Sequence, residues 1–560
     1  MVRTPARPAL TRHHLGAHPI IQHYIERMNF PAVIRDCLGS GLERSLDHAE
    51  VLGTLVHNVL VSRGPMYRIR EWALRRDPEA LGLSAPQISH LNDDRIARSL
   101  EALASRRGRN VFFRLALRAI KHFRLDTSRV HFDTTTVTFF GQYANSVAEP
   151  HITRGFNKDH RPDLKQLVFG LNISADGAVP LLHHIFSGNQ SDSTVHIRNV
   201  NSLRTLLGTE QFVYVADSKL CTEQNLRHVA SAGGQFVTVM PRTWHEDKLF
   251  REQLRSSTSP VRWRKIHEVP NARRAGEPPD IYSSTNAGPQ LTARDGYRII
   301  WIRSSQKATL DRHVRMQRLH AAELEIQEIG RSIARRRVRS RKEIQTRMRR
   351  VLASHHVRAF LHVRIIAFTE VEHRYLRRGR PKPGDPMQTI RHRRFRLEIS
   401  RDKDALHSES RTDGVFPLVT NIPATSRGKR QILEIYKYQP YIEKRFALTK
   451  SEYAITPIFL KKPSRVVGLI HVYFVAIMLS ALLERQVRNA MAVRGIAKLT
   501  ILPEGRPTAT PTTPRILENF ADVACYEFQE GDRIVSFPIE LNDTQKLLLE
   551  LAEVPPTLYR

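Results

Sequence analysis

The stretch that decides the architecture is RVHFDTTTVTFFG, residues 129–141, read together with QFVYVADSK, residues 211–219. The first is dense in β-branched and aromatic side chains, which suit a pleated strand. It nevertheless holds a carboxylate, Asp133, among Val130, Phe132 and Val137. A charge in that setting is costly unless it has a partner. The second stretch is another apolar strand, and it ends on Asp217. Between them, QLVFGLNIS (166–174) and VPLLHHIFSG (179–188) flank Ala175-Asp176-Gly177. They predict a hairpin, because Asp-Gly supports a tight turn. Residues 196–207 read as a helix. The expected order is three strands, a helix, and a strand with an acidic tip. Adjacent parallel strands would bring the two carboxylates together above one sheet.

Working outward, residues 1–125 are expected to be a helical domain. Ile96, Leu100 and Leu103 recur at helical spacing behind Asn92, Asp93 and Asp94, which can cap a helix start. Such a domain could bind DNA or serve as a packing module. The core is expected to run over 126–240 and to resume over 412–502. An insertion of mixed α+β character is expected at 241–411, with a long charged helix around Arg315 to Val351 and a basic Gly/Pro stretch, RRGRPKPGDP. A tail, 503–560, is expected to end in a helix at Gln545–Ala552.

Composition narrows the partners. Lys and Arg number 88 against 55 Asp and Glu, a formal charge of +33, and such a field attracts a polyanion, nucleic acid first among them. With 41% hydrophobic residues, wholesale disorder is excluded. Cys37, Cys221 and Cys525 lie far apart without a CxxC pair, which argues against a disulfide scaffold or zinc knuckle and fits a reducing compartment. Residues 466–483 are apolar for a length at the lower edge of a membrane span. His471 interrupts them and no second span follows, so a buried helix and no membrane role are expected.

Several motifs in sequence order resemble bacterial insertion-sequence transposases of the DDE class, in the group with a large insertion between the second Asp and the catalytic Glu. They are HFDTTTV around Asp133, GFNKDHRPDLKQLVFGL (155–171), FSGNQSD (186–192) and VYVADSKL around Asp217. The resemblance resumes at YKYQPYIEKRFALTK (436–450) and at residues 459–485, and LNDDRIARSLEAL (91–103) is also similar. The family pattern Y-x2-R-x3-E-x6-K meets Tyr436, Glu443 and Lys450 here, with Gln439 in place of the Arg. The resemblance implies an α/β, ribonuclease-H-like catalytic core. It implies Asp133, Asp217 and Glu443 as catalytic residues and as ligands of two Mg²⁺ ions, with Mn²⁺ an alternative. It further implies double-stranded DNA as partner, both terminal inverted repeats and target, and a homodimer on paired ends. The cytoplasm, in association with the nucleoid, is the expected location. Rival readings are another ribonuclease-H-like nuclease and a catalytically inactive DNA-binding derivative.

Pro440 sits inside the motif. Proline is tolerated in a helix's first turn and disruptive later. The helix is therefore expected to begin near Gln439, with Tyr436 on the approach and Glu443 in the first or second turn. Tyr436, Gln439, Lys444, Arg445 and Lys450 are expected to face DNA, and Lys158, Arg161 and Lys165 to belong to a positioning loop. Asp163 and Asp192 are expected in loops, away from the metal site. Arg378 and Arg380 bracket a glycine in LRRGRPKPG (376–384), a strip narrow enough for an A·T minor groove. Trp244 could stack on an extruded base or pack in the core.

Overall fold

The computed structural model describes residues 9–39, 45–62, 64–141, 143, 150–157, 161–231, 233–256, 260–271, 278–290, 296–335, 340–376, 380, 383, 386–455, 458, 460–530 and 533–559. The chain divides into two compact units. Unit 1 comprises Met1–Thr238, Thr420–Ile422 and Gln431–Arg560; unit 2 comprises Val239–Val419 and Pro423–Arg430.

Unit 1 begins with β1 (Ala9–His14) and the helices α1 (His18–Arg27), α2 (His48–Val61), α3 (Asp93–Ala104) and α4 (Gly108–His122). Their starts are written locally. Asp47 and Glu50 form a reciprocal capping box on α2, and the Asn92 side chain accepts the Arg95 amide at 2.9 Å on α3. The sheet follows: β2 (Arg129–Phe139), β3 (Lys165–Ser174) and β4 (Pro180–Ser187), then α5 (His196–Leu207), β5 (Val213–Ala216) and β6 (Gln235–Val239). Their order is β4-β3-β2-β5-β6. β2, β3 and β4 are antiparallel neighbours, whereas β5 joins β2, and β6 joins β5, in parallel. The three strands, helix and strand expected from sequence stand in that order. The β3–β4 turn uses Gly177 at φ +81°, where a Cβ would also lie 2.8 Å from Arg485. Only glycine suits both demands.

The rest of unit 1 adds α6 (Lys429–Tyr436), α7 (Pro440–Ala447) and α8 (Pro463–Val493). Among the described residues α8 is the one helix long and apolar enough to cross a membrane, and 89% of its apolar window is buried inside the protein. It packs on α2, α3 and β4, as a core helix does. A Cβ on Gly468 would sit 2.2 Å from the Leu100 carbonyl oxygen, so α8 and α3 touch backbone to backbone there.

Two elements depart from the expected pattern. The mostly helical N-terminal part also carries a strand, since β1 pairs antiparallel with β7 (Ala524–Glu530), which in turn pairs with β8 (Arg533–Phe537). The Tyr24 hydroxyl donates to the Ala552 carbonyl, and the Tyr559 hydroxyl to the Gly16 carbonyl, each at 2.9 Å. The tail carries these strands as well as the expected helix, found at Asp543–Leu551.

Unit 2 holds the strands Arg264–Val269, Asp280–Thr285, Arg298–Ser304 and Val415–Thr420. The single long helix expected around Arg315 to Val351 is two helices, Ser305–Ala334 and Arg341–Ser354. They pack on the base of an antiparallel ribbon, Leu361–Tyr375 with Met387–Arg401, paired over 15 positions. The basic Gly/Pro stretch connects its two strands.

Candidate active site

The parallel register of β2 and β5 ends at the pair Phe132–Ala216. The next residues along the chain are Asp133 and Asp217, so register alone sets the two residues side by side where β5 ends. β2 continues past that point against β3, with Asp133 opposite Leu171. β5 stops, and Asp217 opens a turn in which its Oδ1 accepts the Lys219 amide at 3.0 Å. Its carbonyl takes the Thr238 hydroxyl of β6 at 2.6 Å. Asp133 Oδ1 accepts the Thr134 amide at 2.7 Å. Both carboxylates are half-buried.

Glu443 arrives from α7. Gln439 is the N-cap and Pro440 the first helical residue, which puts Glu443 in the first turn as the proline dictates. What docks this helix on β2 is the Gln439 side chain, which is 5% exposed. Its Nε2 donates to the Phe132 carbonyl at 2.9 Å, and its Oε1 accepts from His131 Nδ1 at 3.0 Å. These contacts fall on the two residues just before Asp133, so they tie the start of Glu443's helix to the strand that presents Asp133. Burial holds the His131 imidazole neutral, with its pKa lowered to about 4.

Tyr436, the last residue of α6, joins the three acids. Its phenol is pushed above the ordinary tyrosine range by burial and by the negative fields of Asp217, Asp133 and Glu443. Tyr214 beneath them is raised by burial and also by Asp217 and Asp133. One phenol thus senses carboxylates from two strands and a helix. The donor set, carboxylate oxygens from three elements, is what a hard divalent cation prefers. Among the described residues no group of three His, Cys, Asp or Glu side chains is drawn together closely enough to hold a metal ion.

The remaining expected site residues divide. Lys444 is exposed, with Nζ 4.4 Å from the centre of the Tyr441 ring, and Lys450 is half-buried in the π-helical turn Leu448–Glu452. Two residues expected to face DNA point inward instead. Gln439 docks α7, and Arg445, 5% exposed, pairs with Glu484 at 2.8 Å and donates to the Ala178 and Gly177 carbonyls at 3.0 and 2.9 Å. A guanidinium buried in this way, with a partner on each of its three nitrogens, is turned away from a phosphate. Arg161 is exposed and held by Asp163 through two hydrogen bonds of 2.9 and 2.6 Å, which offsets its charge. Lys165 donates to the Tyr143 carbonyl at 3.2 Å. Residues 192–194 form a 3₁₀ turn, and Trp244 is half-buried before a helix of unit 2. Arg380 is exposed; Lys158 and Arg378 lie outside the described residues. The docking pair His131–Gln439 and the buried pair Arg445–Glu484 escaped the sequence analysis. Only the Gln-Pro at a helix start hinted at the first.

Comparison with known proteins adds a family model described as a domain of unknown function (DUF4277), which matches residues 10–117, the N-terminal helical stretch. No curated protein matches the sequence. Among solved structures, the piggyBac transposase synaptic complex with hairpin DNA is similar at TM-score 0.37 and 8% identity, over 92% of this chain and 82% of that one. At that distance neither fold nor function transfers.

Proposed function

We propose that this chain is a DNA transposase of the DDE class, working in the cytoplasm on the inverted repeats of an insertion sequence. The observation that carries the reading is that Asp133, Asp217 and Glu443, from two adjacent parallel strands and the first turn of a docked helix, each act on the one Tyr436 phenol. The strand order, with its three antiparallel strands, helix and parallel strand, supports a ribonuclease-H-like core. The charge of +33 supports a polyanionic partner.

In this reading Asp133, Asp217 and Glu443 hold Mg²⁺, or Mn²⁺, when the DNA is in place. Two hard cations supply activation of the attacking oxygen and stabilisation of the leaving 3′ oxygen of a phosphodiester. The chain's own part is positional. Gln439 ties the start of Glu443's helix to β2, and the buried Tyr436 phenol lies in the field of all three carboxylates. Lys444 and Lys450 offer phosphate contacts, which set the register of a duplex without reading its sequence. Water attacks first at the element end. The freed 3′ hydroxyl then attacks target DNA, and the phosphodiester exchanges its 3′ oxygen in one step without a covalent protein intermediate. Pairing two ends calls for at least a homodimer.

Asp133→Asn, Asp217→Asn and Glu443→Gln test the assignment on a duplex carrying the repeats that flank the gene. Each variant should lose Mg²⁺-dependent cleavage by at least 100-fold while binding the ends as the parent does. A variant that cuts at the parental rate removes that residue from the site. A parent chain that binds and never cuts establishes the inactive derivative instead.

A further inference from the structure

The ribbon of unit 2 sorts its charges by face. Antiparallel partners project to the same side, and sides alternate along each strand. The register pairs Arg364 with Glu398, Phe368 with Arg394, Glu370 with His392 and Glu372 with Ile390, so all three carboxylates of the ribbon share one face. There each has a partner: Glu370 holds Arg394 at 2.6 Å, Glu372 holds His392 at 2.9 Å, and Glu398 holds Arg364 at 3.0 Å.

The other face follows a different logic. Near its base Val363, Ile365, Phe395, Leu397 and Ile399 pack on the helices Ser305–Ala334 and Arg341–Ser354. Beyond Phe395 that packing stops and the ribbon continues, with Thr369 opposite Arg393 and Val371 opposite Arg391. This outer part has no acidic residue. Arg391 and Arg393 are both exposed, and neither has an ion-pair partner among the described residues. Around them Val371 is 49% exposed, Tyr375 41% and Met387 54%. A soluble hairpin that only needed to stay clear of aggregation would mix its charges on both faces. This one keeps a face of the pairs Thr369–Arg393, Val371–Arg391, His373–Thr389 and Tyr375–Met387 free of acidic residues.

We propose that the outer ribbon face, centred on Arg391 and Arg393, is a docking surface for duplex DNA. Charge complementarity selects a polyanion, and shape selects a groove. Two strands span a width that the major groove admits. Thr369 to Tyr375 covers about 20 Å at the usual rise per residue, long enough to follow a groove past several phosphates. Phe395 braces the Arg393 guanidinium, whose carbon lies 5.8 Å from the ring centre. The site rests on the DNA-transposing function proposed above and adds a contact that the catalytic residues do not supply.

The test compares two double variants of the full chain that remove equal charge from opposite faces: Arg391→Gln/Arg393→Gln and Arg364→Gln/Arg396→Gln. Duplex binding is read by fluorescence anisotropy across a salt series, in an Asp133→Asn background so that cleavage plays no part. Losing two phosphate contacts should flatten the slope of log K against log salt by about 1.8. That loss is expected for the first pair alone, with unchanged melting temperature for both. Equal losses on both faces would overturn the proposal in favour of undirected attraction. An unchanged slope for the first pair, with a changed sedimentation coefficient, would make this face a contact between copies of the chain and overturn it too. A ribbon effect in a protein whose parent never cleaves DNA would sink the catalytic reading and leave the docking surface standing.

Discussion

Gln439 and Arg445 show how much a single side chain's partner decides. Both lie in a basic, DNA-like motif, and both are interior residues, because their acceptors come from distant segments. Those acceptors are the Phe132, Gly177 and Ala178 carbonyls and the Glu484 carboxylate. No local pattern announces contacts separated by 39 to 307 positions. Asp133 and Asp217 were legible because each is a charge set in an apolar strand, an anomaly visible in the sequence itself. Arg445→Met strands Glu484, 4% exposed on its side chain, with only Arg488 and the Thr513 amide nearby. Urea unfolding should report a loss of about 3 kcal/mol, much of it recovered in Arg445→Met/Glu484→Met. No recovery in the double variant would mean that the hydrogen bonds to the β3–β4 turn matter more than the ion pair. Gln439→Leu should leave DNA binding intact and slow cleavage at least tenfold, since small misplacements of a reacting group are costly. Cleavage at the parental rate would free Glu443 from dependence on that amide.

At the scale of elements, local signals served well wherever pairing is between sequence neighbours. The Asp-Gly hairpin, the helix His196–Leu207 and the start of α7 at Pro440 all fall where their residues point. Of the 15-pair ribbon only the alternating base of its second strand, RFRLEISRD (394–402), reads as a strand; the outer pairing does not, because the residues between the two strands read as a linker. The break between Ala334 and Arg341 was hidden by uniformly high charge. The contact of α8 with α3 is an element-scale commitment. Gly468→Ala gains helix propensity of about 1 kcal/mol, yet its methyl meets the Leu100 carbonyl and forces the helices apart. We expect a net loss of about 1–2 kcal/mol. A variant melting above the parent would mean that the two helices have slack at that crossing.

Across the whole molecule, the buried imidazoles set the tolerance to acid. Burial lowers the pKa of His57, His196 and His471 to about 3, and His183 also lies well below its ordinary value. The unfolded chain takes up protons on these groups below about pH 6.5 and the folded chain does not, so stability is full above that value and falls as pH drops toward the folded pKa. Each imidazole contributes a slope of about 1.4 kcal/mol per pH unit in that window. Urea midpoints should therefore decline steeply from pH 7 to pH 5, and a flat profile would contradict the neutral packing of the His183–His471 pair. The polar contact inside that pair, 2.6 Å between ring nitrogens, was beyond any spacing rule because its members are 288 residues apart. The pairing of β1 with β7 has a consequence in time. Residues 9–14 leave the ribosome early, yet their partner strand, 524–530, is made more than 500 residues later. Throughout synthesis the first strand has an open edge and Tyr24 lacks its acceptor at Ala552. Unit 1 can close its β1–β7 pairing only once residues 524–530 have been made.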